Sequence, residues 1–260
     1  MAVTYASYLK LPELLALQRP LSDGPEHDET LFIVIHQVYE LWFKEILHEL
    51  DYLAARLVAG ETPRALHTLK RVLTVLKVLV SQIDVLETMT PLEFLSFRDR
   101  LESGSGFQSR QFRELEMLLG QKRRHAVEHY AAGGDDRRRL DERFHAPTVW
   151  DAFLRYLTHA GHAVPAAALS RDVTQPIAAD PDVQRVLLHV YHHDAVAAGV
   201  CERLVDLDEG MQEWRYRHVK MVQRTIGTKP GTGGSAGAEY LLTTLNRPAF
   251  PDLWAIRTRL

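Results

Sequence analysis

The stretch 30-TLFIVIHQVYELWFKEILHELDYLAARLV-58 decides the fold. Its apolar residues Leu31, Val34, Val38, Leu41, Trp42, Ile46, Leu50, Leu53 and Leu57 recur at steps of three and four, which lines one side of a long α-helix. Asp28 is placed to cap its start, and Glu40 and Lys44 are spaced for an i,i+4 ion pair. The same period returns over residues 63–88, carried by Leu66, Leu69, Val72, Leu76, Leu79, Ile83 and Leu86. Shorter helices are expected over 91–101, with Pro91 suited to the first turn, and over 112–119, 148–160, 181–194, 201–227 and 238–245. No segment alternates apolar and polar residues with β-branched enrichment, and no repeat or Ser/Gly-rich linker divides the chain. These features predict an all-α protein with one domain over residues 1–260. Residues 122–143, charged and poor in apolar side chains, read as a solvated surface connection.

Composition narrows the functional classes. A net charge of −3 carries no electrostatic footprint for nucleic acid. The single cysteine, Cys201, excludes an internal disulfide framework and a cysteine-based zinc site. No stretch approaches the ~20 apolar residues of a membrane span. The opening residues lack the basic-then-apolar pattern of a secretory signal, so a cytoplasmic protein is expected.

Two histidines stand on apolar helix faces. His218, in 214-WRYRHVKMVQRTIGTKPGTGGSAG-237, shares its face with Met211, Trp214, Val222 and Thr225, while Arg215, Arg217, Lys220 and Arg224 fall largely elsewhere on the surface. Gly227 is suited to end that helix. A buried imidazole needs partners for its nitrogens; it is either a satisfied core residue or a metal ligand. His36 lies among Phe32, Tyr39 and Phe43, and reads either as a core histidine bonded to a backbone carbonyl or as a base in an aromatic pocket. His125/His129 and His189/His192/His193 have no completing ligand set. The glycines at 231–237 formally match a dinucleotide fingerprint, but a helix precedes them instead of a strand, which fits a loop closing over a ligand with Thr232 as a polar contact. Arg98 sits beside Phe94 and Leu101, either snorkelling or ion-paired with Asp99 or Glu102, or as a bidentate clamp for a carboxylate.

Three stretches, HDETLFIVIHQVYELWFKEILHELD, LETMTPLEFLSFRDRLESGSGFQS and the His218 stretch quoted above, closely resemble the signature regions of tryptophan 2,3-dioxygenases, in order. TYASYLKLPELLALQRPLS and FPDLWAIRTRL resemble that family's two ends, and similarity is weak over residues 122–200. The resemblance implies an all-α enzyme holding heme b between helices, with O2 as co-substrate, and a homotetramer whose N-terminal segments complete a neighbour's site. By motif, His218 is the implied axial ligand to iron, and His36 the distal group that bonds the indole N–H. Phe32 and Phe94 are implied in the indole pocket, Arg98 and Thr232 at the amino acid's polar end, and Ser105 and Gly106 near heme and substrate. Tyr5, Tyr8 and Leu9 are implied to reach into the adjacent subunit.

The implied reaction adds O2 across the indole C2–C3 bond of L-tryptophan to give N-formylkynurenine. Two departures keep alternatives open. Residues 190–201 are short and poor in aromatics, and Thr228 and Pro230 flank Lys229 where bacterial members usually carry Phe and Arg. The alternatives are a secondary-metabolism relative acting on a substituted tryptophan such as the β-methyl derivative, including mono-oxygenation to an oxindole, and a heme-binding sensor without turnover.

Overall fold

The computed structural model describes residues 2–24, 26–102, 104–231 and 238–260, with the side chain of Tyr240 excepted. Two short helices, α1 (Tyr5–Leu9) and α2 (Leu11–Leu14), precede the long α3 (His27–Val58). The chain then reverses into α4 (Thr62–Leu86), followed by α5 (Pro91–Phe97) and a 3₁₀ turn at Arg98–Leu101. A second 3₁₀ turn, Gly106–Gln108, leads into α6 (Arg110–Leu118), α7 (Arg124–Glu128) and α8 (Asp135–His145). Next come α9 (Val149–His159), α10 (Ala166–Leu169), α11 (Pro181–His193), the second long helix α12 (Ala195–Ile226), α13 (Ala238–Leu242) and α14 (Pro251–Ala255). Among the described residues there is no strand, so the all-α expectation holds.

Helices α3 and α12 each run 32 residues, about 48 Å at 1.5 Å per residue, and α4 lies against both. Leu50, Leu53 and Leu57 of α3, Leu69 and Val72 of α4, and Val200, Leu204 and Leu207 of α12 are fully buried. Helix α9 adds Phe153 and Leu157 to the same core. The α3–α4 reversal needs glycine: at Gly60, φ is +70°, and a Cβ there would sit 2.3 Å from the His159 ring.

Several local expectations are corrected. Helix α3 starts at His27, so Asp28 lies in the first turn and Glu26 occupies the cap position. Glu40 accepts hydrogen bonds from Gln111 on α6 at its side chain and its carbonyl, 2.7 and 2.8 Å away, in place of the expected Lys44 pair. Residues 122–143 are not a solvated connection. They include α7 and the start of α8, and Ala126, Val127, Leu140 and Phe144 form a small core with Met117. Few apolar residues suffice because Lys122 is buried too, its ammonium donating to the carbonyls of Arg143, Phe144 and Ala146 at 2.7–2.9 Å and closing the end of α8.

Helix α12 begins six residues before the expected start. Asp194 caps it by accepting from the backbone N–H groups of Val196 and Ala197. At its other end Gly227, with φ +63°, closes the helix as the sequence indicates. Among the described residues no helix is long and apolar enough to cross a membrane.

A buried carboxylate fixes the C-terminal segment to α12. Asp208 accepts from the backbone N–H of Ala249 (2.9 Å) and Phe250 (3.1 Å) and from the Trp254 indole N–H (2.8 Å). Replacing Asp208 with Ala strands those donors, and urea unfolding is expected to show a loss of about 3 kcal/mol; an unchanged midpoint would contradict this role for Asp208.

Candidate active site

The site residues come from four segments that the fold draws together. Helix α3 carries Phe32 and His36 one turn apart, and α5 carries Phe94. The rings of Phe32 and His36 are 4.1 Å apart, Phe32 and Phe94 5.7 Å, and Phe32 and Phe97 5.5 Å. Thus Phe32, His36 and Phe94, which the resemblance puts in one pocket, form one cluster, whereas Tyr39 and Phe43, read from helical period as neighbours of His36, pack against Trp214. The short α5 is held in place by a capping box, in which Thr90 and Glu93 exchange bonds around the first turn and Pro91 occupies it.

Helix α12 carries His218 and, one turn earlier, Trp214. Their rings stack at 5.1 Å and within 4° of parallel. Trp214 is gripped in turn by Phe112 (4.9 Å), Phe43 (6.0 Å) and Tyr39 (6.3 Å). The His218 imidazole is half-buried on the apolar face of α12. Neither ring nitrogen has a hydrogen-bond partner among the described residues. Burial first, then the neighbouring His36 and Arg113, pull its pKa down to about 4, so the ring is neutral at physiological pH. The Trp214 indole N–H is also buried without a well-formed hydrogen bond. It lies beside the Tyr39 phenol, whose O–H is committed to the Leu79 carbonyl at 2.9 Å.

His36 is partnered on one side. Its Nδ1 is 2.7 Å from the Phe32 carbonyl, and a carbonyl only accepts, so Nδ1 carries the proton. Nε2 then bears a lone pair, with no partner among the described residues. Burial lowers the pKa of this ring and outweighs the opposing effects of the Phe32 carbonyl and Glu40, which keeps the imidazole neutral. Two neutral imidazoles, each with a nitrogen that has no partner among the described residues, are suited to serve as a metal ligand and a hydrogen-bond acceptor.

Arg98 occupies the 3₁₀ turn after α5 and donates from Nη2 to the Pro230 carbonyl, just before the glycine-rich loop. That contact joins the clamp candidate to the segment that follows α12, and it replaces the Asp99 or Glu102 pairing open at the sequence level. Thr232 lies outside the described residues. Ser105 caps the second 3₁₀ turn, and a Cβ at the neighbouring Gly106 would meet nothing within 4 Å. Tyr5, Tyr8 and Leu9 are not brought to this cluster. They are 76%, 76% and 41% exposed on α1, a helix that buries nothing.

The sequence reading missed a charged network beside His218. Glu116 on α6 is fully buried and binds Arg113 (2.5 Å), Arg123 (2.5 Å) and Arg215 (3.0 Å). Burial alone raises the Glu116 pKa, but the three guanidiniums outweigh it and hold it below the usual carboxylate range. Arg215, expected at the surface, is therefore an interior residue and a correction to that reading. The i,i+3 spacing of Arg113 and Glu116 is visible in RELE, but the long-range partner is not. A cavity of about 10 Å³ adjoins Glu116 and Arg215; its lining includes neither histidine of the site.

A family model described as tryptophan 2,3-dioxygenase matches residues 1–142 and 195–260. The chain is 60% identical over 259 residues to a tryptophan 2,3-dioxygenase of Herpetosiphon aurantiacus, covering 100% of this chain and 99% of that one. It is 61% identical over 258 residues to one from Anaeromyxobacter sp. (strain K), covering 98% and 96%. A third, from Caulobacter vibrioides, is 46% identical over 262 residues, covering 99% and 98%. The chain belongs to the tryptophan 2,3-dioxygenase family. The family model passes over residues 143–194 but matches 122–142 and 195–200, and the Herpetosiphon aurantiacus relative aligns across the whole chain. The weak similarity expected over 122–200 therefore does not hold throughout that stretch.

The aromatic packing gives a direct expectation. Trp214→Ala opens a void under His218 and among Tyr39, Phe43 and Phe112, at about 3–5 kcal/mol of stability. Denaturant unfolding of the ligand-free protein checks this, and a loss below about 1 kcal/mol would contradict the packing role.

Proposed function

We propose that this tryptophan 2,3-dioxygenase family member binds heme through His218 and adds both atoms of O2 across the indole C2–C3 bond of L-tryptophan, giving N-formylkynurenine. The observation that carries this reading is the His218 imidazole, neutral, stacked on Trp214 and without a partner among the described residues. His36, by contrast, has its Nδ1 committed to the Phe32 carbonyl.

The residues fit a heme. His218 would hold the iron through an imidazole nitrogen. The donor chemistry suits iron: the ring is neutral, and its nitrogens have no partner among the described residues. Bound heme supplies the O2-activating iron centre, chemistry that no side chain provides. The chain's own residues bind and orient the substrate. Phe32 and Phe94 flank the indole and keep water from it. His36 Nε2 accepts the indole N–H bond, which sets the ring's direction and disfavours the charged imidazole. Arg98 takes the α-carboxylate with the fork of N–H groups that its single bond to Pro230 leaves over. Ser105 and Gly106 are assigned near heme and substrate by motif, and a Cβ at Gly106 would meet nothing within 4 Å. Thr232 is assigned to the substrate's polar end by motif.

One domain carries all of these residues in this reading. The exposed apolar side chains of Tyr5, Tyr8 and Leu9 support an N-terminal arm that inserts into a neighbouring copy, within a homotetramer. The substituted-tryptophan, oxindole and sensor alternatives are not favoured, because relatives of matching length at about 60% identity carry the dioxygenase name.

Turnover of L-tryptophan under ¹⁸O2 by the heme-loaded protein is expected to give N-formylkynurenine carrying two labelled atoms; a product with one label overturns the assignment. Arg98→Leu removes a charge-assisted clamp of about 3 kcal/mol, so KM for tryptophan should rise on the order of 100-fold. A KM within threefold of wild type would remove Arg98 from the substrate's carboxylate.

A further inference from the structure

The root of the N-terminal arm is tied to the elements that carry the site. Glu29, in the first turn of α3, is 2% exposed, and its carboxylate accepts from the backbone N–H of Leu21 at 2.6 Å and of Ser22 at 3.1 Å. This buried anion is therefore spent on holding a loop elbow against the helix that bears Phe32 and His36. Two more bonds run from the same elbow to the clamp segment. The Ser96 hydroxyl on α5 donates to Glu26 at 2.6 Å, and Arg100 in the following turn donates to Asp23 at 3.3 Å. Ser96 and Arg100 bracket Arg98. Further out, Gln18 donates to Gln37 on α3 at 2.5 Å, and Gln37 donates to the Leu17 carbonyl at 3.2 Å.

The strengths of these ties differ. The Arg100–Asp23 pair is exposed and contributes little, whereas a buried carboxylate on two backbone N–H groups is a strong, directional anchor. Beyond these ties the arm leaves several apolar groups uncovered: Val3, Tyr5, Tyr8, Leu15 and Leu17 are all more than half exposed. An arm that gains its packing only in another copy, and is rooted on the clamp of its own, connects two sites.

We propose that Glu29 is a positioning residue that locks the arm's root to the segments bearing His36 and Arg98, so that docking of the arm in a neighbouring copy and the setting of Arg98 in its own are linked. The proposal rests on the arm reading given above. Glu29 touches neither substrate nor cofactor in it. Its effect passes through the elbow to Ser96, Arg100 and the turn between them, which predicts an effect on KM with kcat largely spared.

The test uses the heme-loaded full chain, its Glu29→Gln and Glu29→Asp variants, and a variant lacking residues 2–16. Glu29→Gln keeps the shape but replaces one acceptor with a donor facing a backbone N–H. It is expected to raise KM for L-tryptophan about tenfold with kcat within twofold, and to speed amide exchange both at 17–22 and at 94–101, at unchanged oligomer mass. Glu29→Asp, which keeps the charge, should recover part of the KM. Faster exchange confined to 17–22 with wild-type KM overturns the proposal and leaves Glu29 as a local anchor. The arm reading is judged separately: if the deletion leaves KM unchanged while Glu29→Gln raises it, the arm does not complete a neighbour's site, and only the local tie between Glu29 and the clamp survives.

Discussion

A neutral imidazole on the apolar face of α12, that of His218, with no hydrogen-bond partner among the described residues, is the constraint on which this structure turns. The fold must hold that ring in one orientation to keep its nitrogens uncommitted. Stacking does this. Trp214 lies parallel to the ring one helical turn away, and Phe43, Phe112 and Tyr39 leave Trp214 little room to move. The helix beneath is pinned along its length. Arg217 pairs with Asp84 and Glu87 of α4, Arg215 with the buried Glu116 of α6, and Asp208 with the C-terminal segment. The uncommitted nitrogen is stable because almost everything around it is committed.

The second histidine follows the same rule with a different result. His36 has one nitrogen satisfied by the carbonyl one turn back, which leaves the other as a pure acceptor. In the proposed function one histidine binds a metal and the other receives an N–H. The difference comes from local partners, since both rings are half-buried and both are neutral. Helix α3 contributes to core, pocket and arm anchor together: Leu50 and Leu53 pack inside, Phe32 and His36 face the site, and Glu29 holds the elbow.

Much of this was legible in the sequence because helical period and side-chain role coincide. The long α3 and α4 follow from their apolar stripes, and the Phe32–His36–Phe94 cluster follows from motif and spacing. What was not legible is long-range electrostatics. Arg215 sits in a helix stretch rich in cations, and nothing local distinguishes it from Arg217 or Arg224; only Glu116, 99 positions away, makes it an interior residue. Residues 122–143 misled for a related reason. Their few apolar residues suffice once the Lys122 ammonium and the α8 carbonyls satisfy one another. The start of α12 was missed because 195–200 is small and weakly patterned, and the Asp194 cap carries the signal there.

The central claim is that His218, and not His36, supplies the axial nitrogen to a bound heme. Electron paramagnetic resonance of the ferrous nitrosyl adduct reads this directly, through hyperfine splitting from the axial nitrogen. Wild type and His36→Ala should both show that coupling, and His218→Ala should lose it. Coupling that survives in His218→Ala, or vanishes in His36→Ala, would contradict the account.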